Sequence, residues 1–181
     1  FHSCLDLEPQ DQLGGKNMWT SVNDYKQFAN TFYSWTRDFS SVVYDGTHSD
    51  KRSDLITYQS YNEFSRGINS IPSSDANYTD NYKHIRRTNL LLQNAEAYAK
   101  PEDIKQYIGE AYFFRAYSYF DLLQLYGDVI ITKKPLDITD PEMKVKRNDR
   151  SEVVDLIIDD LNHAVENLPA FKELTTEEEG R

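Results

Sequence analysis

The chain has 181 residues, 20 of them basic and 30 acidic, for a formal net charge of −10. A surface that acidic repels phosphate backbones and argues against nucleic-acid binding. A hydrophobic fraction of 39% is enough to bury a core and argues against wholesale disorder. The single cysteine, Cys4, has no partner in the chain for a disulfide, and no apolar run approaches the roughly 20 residues needed to span a bilayer.

Cys4 has two readings. It is either an ordinary thiol near a terminus or a lipid attachment site, because Phe1-His2-Ser3-Cys4 places an apolar residue three before the cysteine and a small one just before it. The polar stretch 5–18, with Pro9 and Gly14-Gly15, reads as an extended tether, so residues 1–18 stand apart from a helical region over 19–181. The first helix is predicted from Ser21 and Asp24, an S-x-x-D capping pattern, through about Arg37. Val22, Tyr25, Ala29, Phe32 and Tyr33 mark its apolar face.

Residues 38–77 have no helical period. Tyr44, Asp45, His48 and Asp50 lie in a loop-like context there, and Tyr58, Tyr61 and Phe64 fit a short helix or a loop. The loop residues read either as a solvated turn or as a sugar- or peptide-contacting cluster, because carboxylates and aromatic faces together suit polyhydroxylated ligands. The aspartates Asp45, Asp50 and Asp54 do not follow an EF-hand order.

A second helix is predicted from Thr79, as N-cap, to about Ala99, with Tyr82, Ile85, Leu92 and Ala95 near one stripe and Asn89 inside it. Pro101 suits the first turn of a third helix running to Tyr126, where Ile104, Ile108, Ala111, Arg115, Tyr119, Leu122 and Tyr126 recur at helical spacing and Gly127 stops it. Two long helices joined by so short a turn must pack antiparallel. Within the third helix, Glu110 and Arg115 sit among dense aromatics, read as a core helix with an internal ion pair; a ligand-binding aromatic box is the other reading.

Residues 128–150 form a connector whose Asp128–Thr132 start could be extended. A fourth helix follows from Ser151 to Leu168, its apolar face made by Val154, Leu156, Ile157, Leu161, Ala164, Val165 and Leu168. Asp159 and Asp160 are placed off that face, as solvated surface. The tail Thr175-Thr176-Glu-Glu-Glu179 looks like the start of another helix, so a fragment or processed product is expected. The fold class is therefore all-α, with tetratricopeptide-like antiparallel hairpins and long irregular loops, although no ~34-residue repeat is visible.

No P-loop, G-x-S-x-G, H-E-x-x-H or C-x-x-C motif is present, and the four histidines are scattered, so the reading is a non-enzyme with no metal or cofactor.

Several segments resemble the SusD/RagB family in order along the chain. Tyr82-x-x-Ile85-x-x-x-Asn89 is similar to its Y-x-x-I-x-x-x-N segment. Gly109-Glu110-Ala111 with Arg115-Ala116, Tyr119-Phe120, Leu123 and Tyr126-Gly127 resembles its G-E-A-x-x-x-R-A-x-x-Y-F-x-L-x-x-x-Y-G signature. Asp160-Leu161-x-x-Ala164-x-x-x-Leu168-Pro169 resembles its D-L-x-x-A-x-x-x-L-P helix, and Cys4-Leu-Asp-Leu-Glu-Pro9 its lipidated start. Family members are longer, and the likeness is to their N-terminal part.

The resemblance implies an outer-membrane, surface-exposed, lipid-anchored protein of Bacteroidetes-type bacteria. It would be lipidated at Cys4, sit over a SusC-like TonB-dependent transporter and bind an oligosaccharide or peptide. It also implies that Tyr78, where a Trp is common in starch-binding members, supplies an aromatic platform and Asn81 an amide for sugar hydroxyls. Tyr78 is equally well read as a helix-start staple. Glu110, Arg115 and Asn89 are expected to be structural, because the family shares them across different ligands. The expected function is non-catalytic nutrient capture; the alternative is a helical-repeat adaptor whose main ligand is a partner protein.

Overall fold

In the computed structural model, residues 18–37 and 73–170 are described below. The chain divides into two compact units, one of Phe1–Phe32 with Ala76–Arg181 and one of Tyr33–Asp75. In the second unit the described backbone closes one turn, with the Thr36 amide donating to the Tyr33 carbonyl. The first unit is built of helices among its described residues.

Helix α1 spans Val22–Asn30 and continues into a 3-10 turn at Thr31–Trp35. The predicted capping box is present: Ser21 Oγ accepts from the Asp24 amide, and the Asp24 carboxylate accepts from the Ser21 amide at 2.8 Å. These bonds satisfy two donors that the first turn would otherwise leave unpaired, and they hold the Asp24 carboxyl below its ordinary value. The helix is shorter than the pattern suggested. Tyr25, Phe28, Ala29 and Phe32 are all fully buried. Trp19, with a φ of 83°, folds its ring edge-on against Tyr25 and Phe28 at 5.0 and 4.7 Å.

Helix α2 spans Ala76–Glu96, starting three residues before the predicted Thr79 cap. Tyr25 Oη donates to the Asn94 carbonyl at 3.0 Å and ties α1 to the end of α2. A tight turn and a 3-10 segment, Pro101–Ile104, lead into α3, Lys105–Tyr126. Gly127 ends α3 with φ 69° and its amide on the Leu123 carbonyl. That left-handed backbone is why glycine stands there.

A connector with a 3-10 turn at Pro141–Met143 precedes α4, Arg150–Asn167. Helix α4 starts on a capping box of Asp149 and Glu152 and is anchored by the Arg150 amide on Asp128 Oδ1 at 3.0 Å. Helix α3 is the central element, packed against α2 on one flank and α4 on another. The α3/α4 pair is antiparallel, since Gly109 lies against Leu168, Arg115 against Asp160 and Gly127 against Arg150. At Gly109 a Cβ would sit 2.9 Å from Leu168 Cγ and 3.1 Å from its amide nitrogen, so the absence of a side chain lets the end of α4 close on α3. Between them the core gathers Tyr82, Ile85, Tyr119, Leu122, Val129, Val153 and Leu156.

Candidate functional site

Among the described residues, the segment 129–134 after α3 makes a single strand-like pairing, a bridge from Val129 to Asn148. Its remaining backbone groups must find partners, because a buried amide or carbonyl left unpaired costs about 1–3 kcal/mol. Side chains supply them. Tyr82 Oη both accepts from the Ile130 amide and donates to its carbonyl, each at 2.9 Å. Tyr119 Oη does the same at Thr132, at 2.8 and 3.2 Å. Asn89 Nδ2 donates to the carbonyls of Thr132 and Lys134 at 3.0 and 2.8 Å, and Asn148 Oδ1 accepts from the Ile131 amide. Burial pushes both tyrosine hydroxyls far above their ordinary pKa, so they remain neutral and can play both roles.

Asn89 is held by Arg115, whose Nη1 donates to Asn89 Oδ1 at 2.8 Å. The other edge of the guanidinium grips Asp160, Nε on Oδ2 at 2.8 Å and Nη2 on Oδ1 at 2.6 Å, with both residues buried. Burial opposes the charge on Arg115, but the hydrogen bonds and charge of Asp160 outweigh it and leave its pKa above the ordinary value. The chain Asp160–Arg115–Asn89–Thr132 thus links α4, α3, α2 and the connector.

Two expectations are corrected here. Arg115 pairs with Asp160, not with Glu110, whose Oε1 accepts instead from Gln106 one turn earlier on the same helix. Asp160 is fully buried rather than solvated, whereas its neighbour Asp159 is exposed on the adjacent face.

Tyr78 and Asn81 come together on the first turns of α2. The Tyr78 ring is half-buried, 4.8 Å from Tyr82 and edge-on to Tyr126 at 5.2 Å. Asn81 is 8% exposed, and its Nδ2 donates to the Asn77 carbonyl at 2.8 Å. Cys4, Tyr44, Asp45, His48 and Asp50 lie outside the described residues.

A depression of about 280 Å³ opens between α2, α3, α4 and the connector. Tyr112 and His163 stack on its wall with ring centroids 4.8 Å apart, Arg115 lies 5.2 Å over the Tyr112 ring, and Lys133 stands 3.9 Å from Asp159 at the rim. These residues were not singled out as a group from the sequence, because they come from separate elements. Among the described residues no cluster of three or more histidine, cysteine or acidic side chains could hold a metal ion. What the arrangement offers is hydrogen bonding and aromatic contact.

Residues 5–178 match the SusD-like family model described as starch-binding and associating with the outer membrane. A SusD-like protein of Formosa agariphila is 27% identical over an alignment of 184 positions that covers 92% of this chain and 34% of that protein. The crystal structure of a SusD-like protein from Bacteroides fragilis superposes with a TM-score of 0.72 at 25% identity, covering 96% of this chain and 34% of the other. A SusD-like carbohydrate-binding protein from the same species shares the fold, with a TM-score of 0.66 at 21% identity over 90% of this chain. The chain thus spans about a third of the length of these relatives.

Proposed function

Because the chain belongs to the SusD-like family, we propose that it is part of a non-catalytic, lipid-anchored cell-surface protein that captures glycan or peptide nutrients and hands them to a TonB-dependent outer-membrane transporter. The observation that carries this reading is the family match over residues 5–178, a family described as starch-binding and outer-membrane associated. The lipid anchor is assigned to Cys4. Capture proceeds by aromatic stacking and hydrogen bonding, with no bond made or broken.

Tyr78 and Asn81, at the start of α2, are the ligand-contact candidates of the first unit; Tyr44, Asp45, His48 and Asp50, in the second unit, are separate candidates. The scaffold supports the first pair in one respect. Tyr82, Asn89, Arg115, Tyr119 and Asp160 are committed to holding the connector, so they serve any ligand equally. Tyr78 is packed on Tyr82 and Tyr126, and it would offer a ligand only the part of its ring that stays exposed.

The test is a binding screen of the protein starting at residue 5 against panels of polysaccharides and peptides, repeated with Tyr78→Ala. The expected result is binding of one ligand class, weakened by more than about 1 kcal/mol in the variant. Binding that is unchanged in Tyr78→Ala overturns the site. No binding on either panel overturns capture and favours an adaptor whose ligand is the transporter.

A further inference from the structure

The chain carries a net charge of −10, yet one short segment is strongly basic: Lys144, Lys146, Arg147 and Arg150 fall within seven residues, and all four are exposed. The acidic residue among them, Asp149, caps α4. Carboxylates nearby are engaged elsewhere. Asp128 accepts from the Arg150 amide, Glu142 holds Lys134, and Glu152 accepts from Asn148 and from the Asp149 amide. Among the described residues, none of the four cations has a carboxylate within ion-pair distance.

The segment is tied at both ends to the aromatic cluster that carries Tyr78. Met143, just before it, is buried in the core with Tyr82 and Val129, and Tyr78 packs against that core. Asn148 donates its amide to the Val129 carbonyl and accepts from the Ile131 amide. The Arg150 guanidinium lies against Gly127, with Nη2 3.2 Å from where a Cβ there would stand. Gly127 follows Tyr126, whose ring is edge-on to Tyr78. The start of α2, the end of α3 and the start of α4 thus meet at one end of the helices, where an aromatic ring and a set of unpaired cations stand together.

We propose that the ligand captured at Tyr78 is an acidic polysaccharide, its carboxylate or sulfate groups held by Arg150 and the basic segment from Lys144 to Arg147. This rests on the reading of Tyr78 as a ligand contact. A guanidinium grips a planar or tetrahedral oxyanion through paired N–H donors, and a cation with no carboxylate of its own gives up only water to do so. The acidic remainder of the chain does not prevent it. At physiological ionic strength the Debye length is about 8 Å, so an anion at this end of the helices is governed by the charges beside it. A neutral glycan would draw nothing from these cations, and a basic peptide would be repelled by them.

The experiment measures binding of the chain starting at residue 5, by isothermal titration, to polygalacturonate and to a sulfated galactan. Each is set beside its neutral counterpart, carboxyl-reduced or desulfated. One variant combines Lys144→Gln, Lys146→Gln, Arg147→Gln and Arg150→Gln. Its thermal melt should match the parent's, because all four side chains are exposed and the Arg150 amide keeps its bond to Asp128. One charged polymer should bind, and more weakly by at least about tenfold in this variant, after removal of the polymer's charged groups, or when ionic strength rises from about 0.01 to 0.15 M. Tyr78→Ala should weaken it as well. Equal binding of a charged polymer and its neutral counterpart, or binding unchanged in the four-fold variant, overturns the proposal and leaves capture standing. Weakening in the four-fold variant with none in Tyr78→Ala also overturns it, since the cations then act apart from the aromatic ring. Polyglutamate bound more tightly than either polymer overturns the saccharide class. If neither these polymers nor the neutral glycans and peptides bind, capture itself fails and the proposal with it.

Discussion

Replacing Arg115 by methionine tests whether the polar chain through the core holds the fold together. The substitution keeps most of the aliphatic stem and removes a guanidinium that makes three hydrogen bonds, two to Asp160 and one to Asn89. Asp160 is fully buried, so its carboxylate would be left without a counter-charge. Breaking one partner out of a buried pair typically costs about 3–5 kcal/mol, against a total stability of about 5–15 kcal/mol for a domain. Asn89 Oδ1 loses its donor too, at about 1–3 kcal/mol, and with it the restraint that aims Nδ2 at Thr132 and Lys134.

Urea unfolding followed by far-ultraviolet circular dichroism should therefore show a loss of about 4–5 kcal/mol for Arg115→Met. Asp160→Leu should cost a similar amount, because it leaves the guanidinium buried and unpaired. The double variant removes both charges and should recover to within about 2 kcal/mol of the parent, a coupling well above the few tenths expected of independent sites. If Arg115→Met is too unstable to study, Arg115→Lys keeps the charge but loses the bidentate grip, and about 1–2 kcal/mol is expected. Single variants that each cost less than about 1 kcal/mol, or a double variant equal to their sum, would refute the reasoning.

Tyr119→Phe should lose about 1–3 kcal/mol in the same assay, because the buried Thr132 amide loses its acceptor while the Thr132 carbonyl keeps Asn89. Gly109→Ala gains helix propensity of about 1 kcal/mol but drives a Cβ to 2.9 Å from the Leu168 side chain and 3.1 Å from its backbone nitrogen, so a net loss of about 1–2 kcal/mol is expected by thermal melting. Burial pushes His84 down to about 4 from an ordinary 6.5, so its neutral form is favoured in the folded state. Stability from this group is present above about pH 6.5 and falls as pH drops toward 4. The loss is about 1–2 kcal/mol after allowing for partial exposure, and His84→Gln should abolish that part of the pH dependence in urea titrations.

Local signals were read well from the sequence and long-range partners were not. Ser21 with Asp24, Pro101 and Gly127 each act within a turn of their own position, and all three mark helix ends as expected. Helix α2 starts three residues before the predicted Thr79, directly after Asp75, a residue type that also favours helix N-termini. On α4 the pattern merged two stripes into one broad face. Val154, Leu161 and Val165 read as core beside Leu156, Ile157 and Ala164, because periodicity reports that a face is apolar and not which neighbour covers it. The same limit produced the error at Asp160. Asp160 follows Asp159 directly, but the rotation of about 100° per helical residue turns it to the buried side, and its partner Arg115 is 45 residues away.

That error has a functional consequence. Asp160, Arg115 and Asn89, with Tyr82 and Tyr119, lie in the segments that resemble the family's motifs, and all five are buried. In the structure every one of them is turned inward onto the backbone of residues 129–134 or onto one another. They do for that segment what a neighbouring strand would do, and so fix how the connector crosses α2 and α3. Apart from Arg115, which also borders the depression between α2, α3, α4 and the connector, these groups face backbone or one another. On the proposed capture function, selectivity would come from groups outside such a lock. The start of α2 meets this requirement: Tyr78 touches the lock through Tyr82 yet keeps part of its ring exposed, so a substitution there should alter binding while costing the fold less than any change at Arg115.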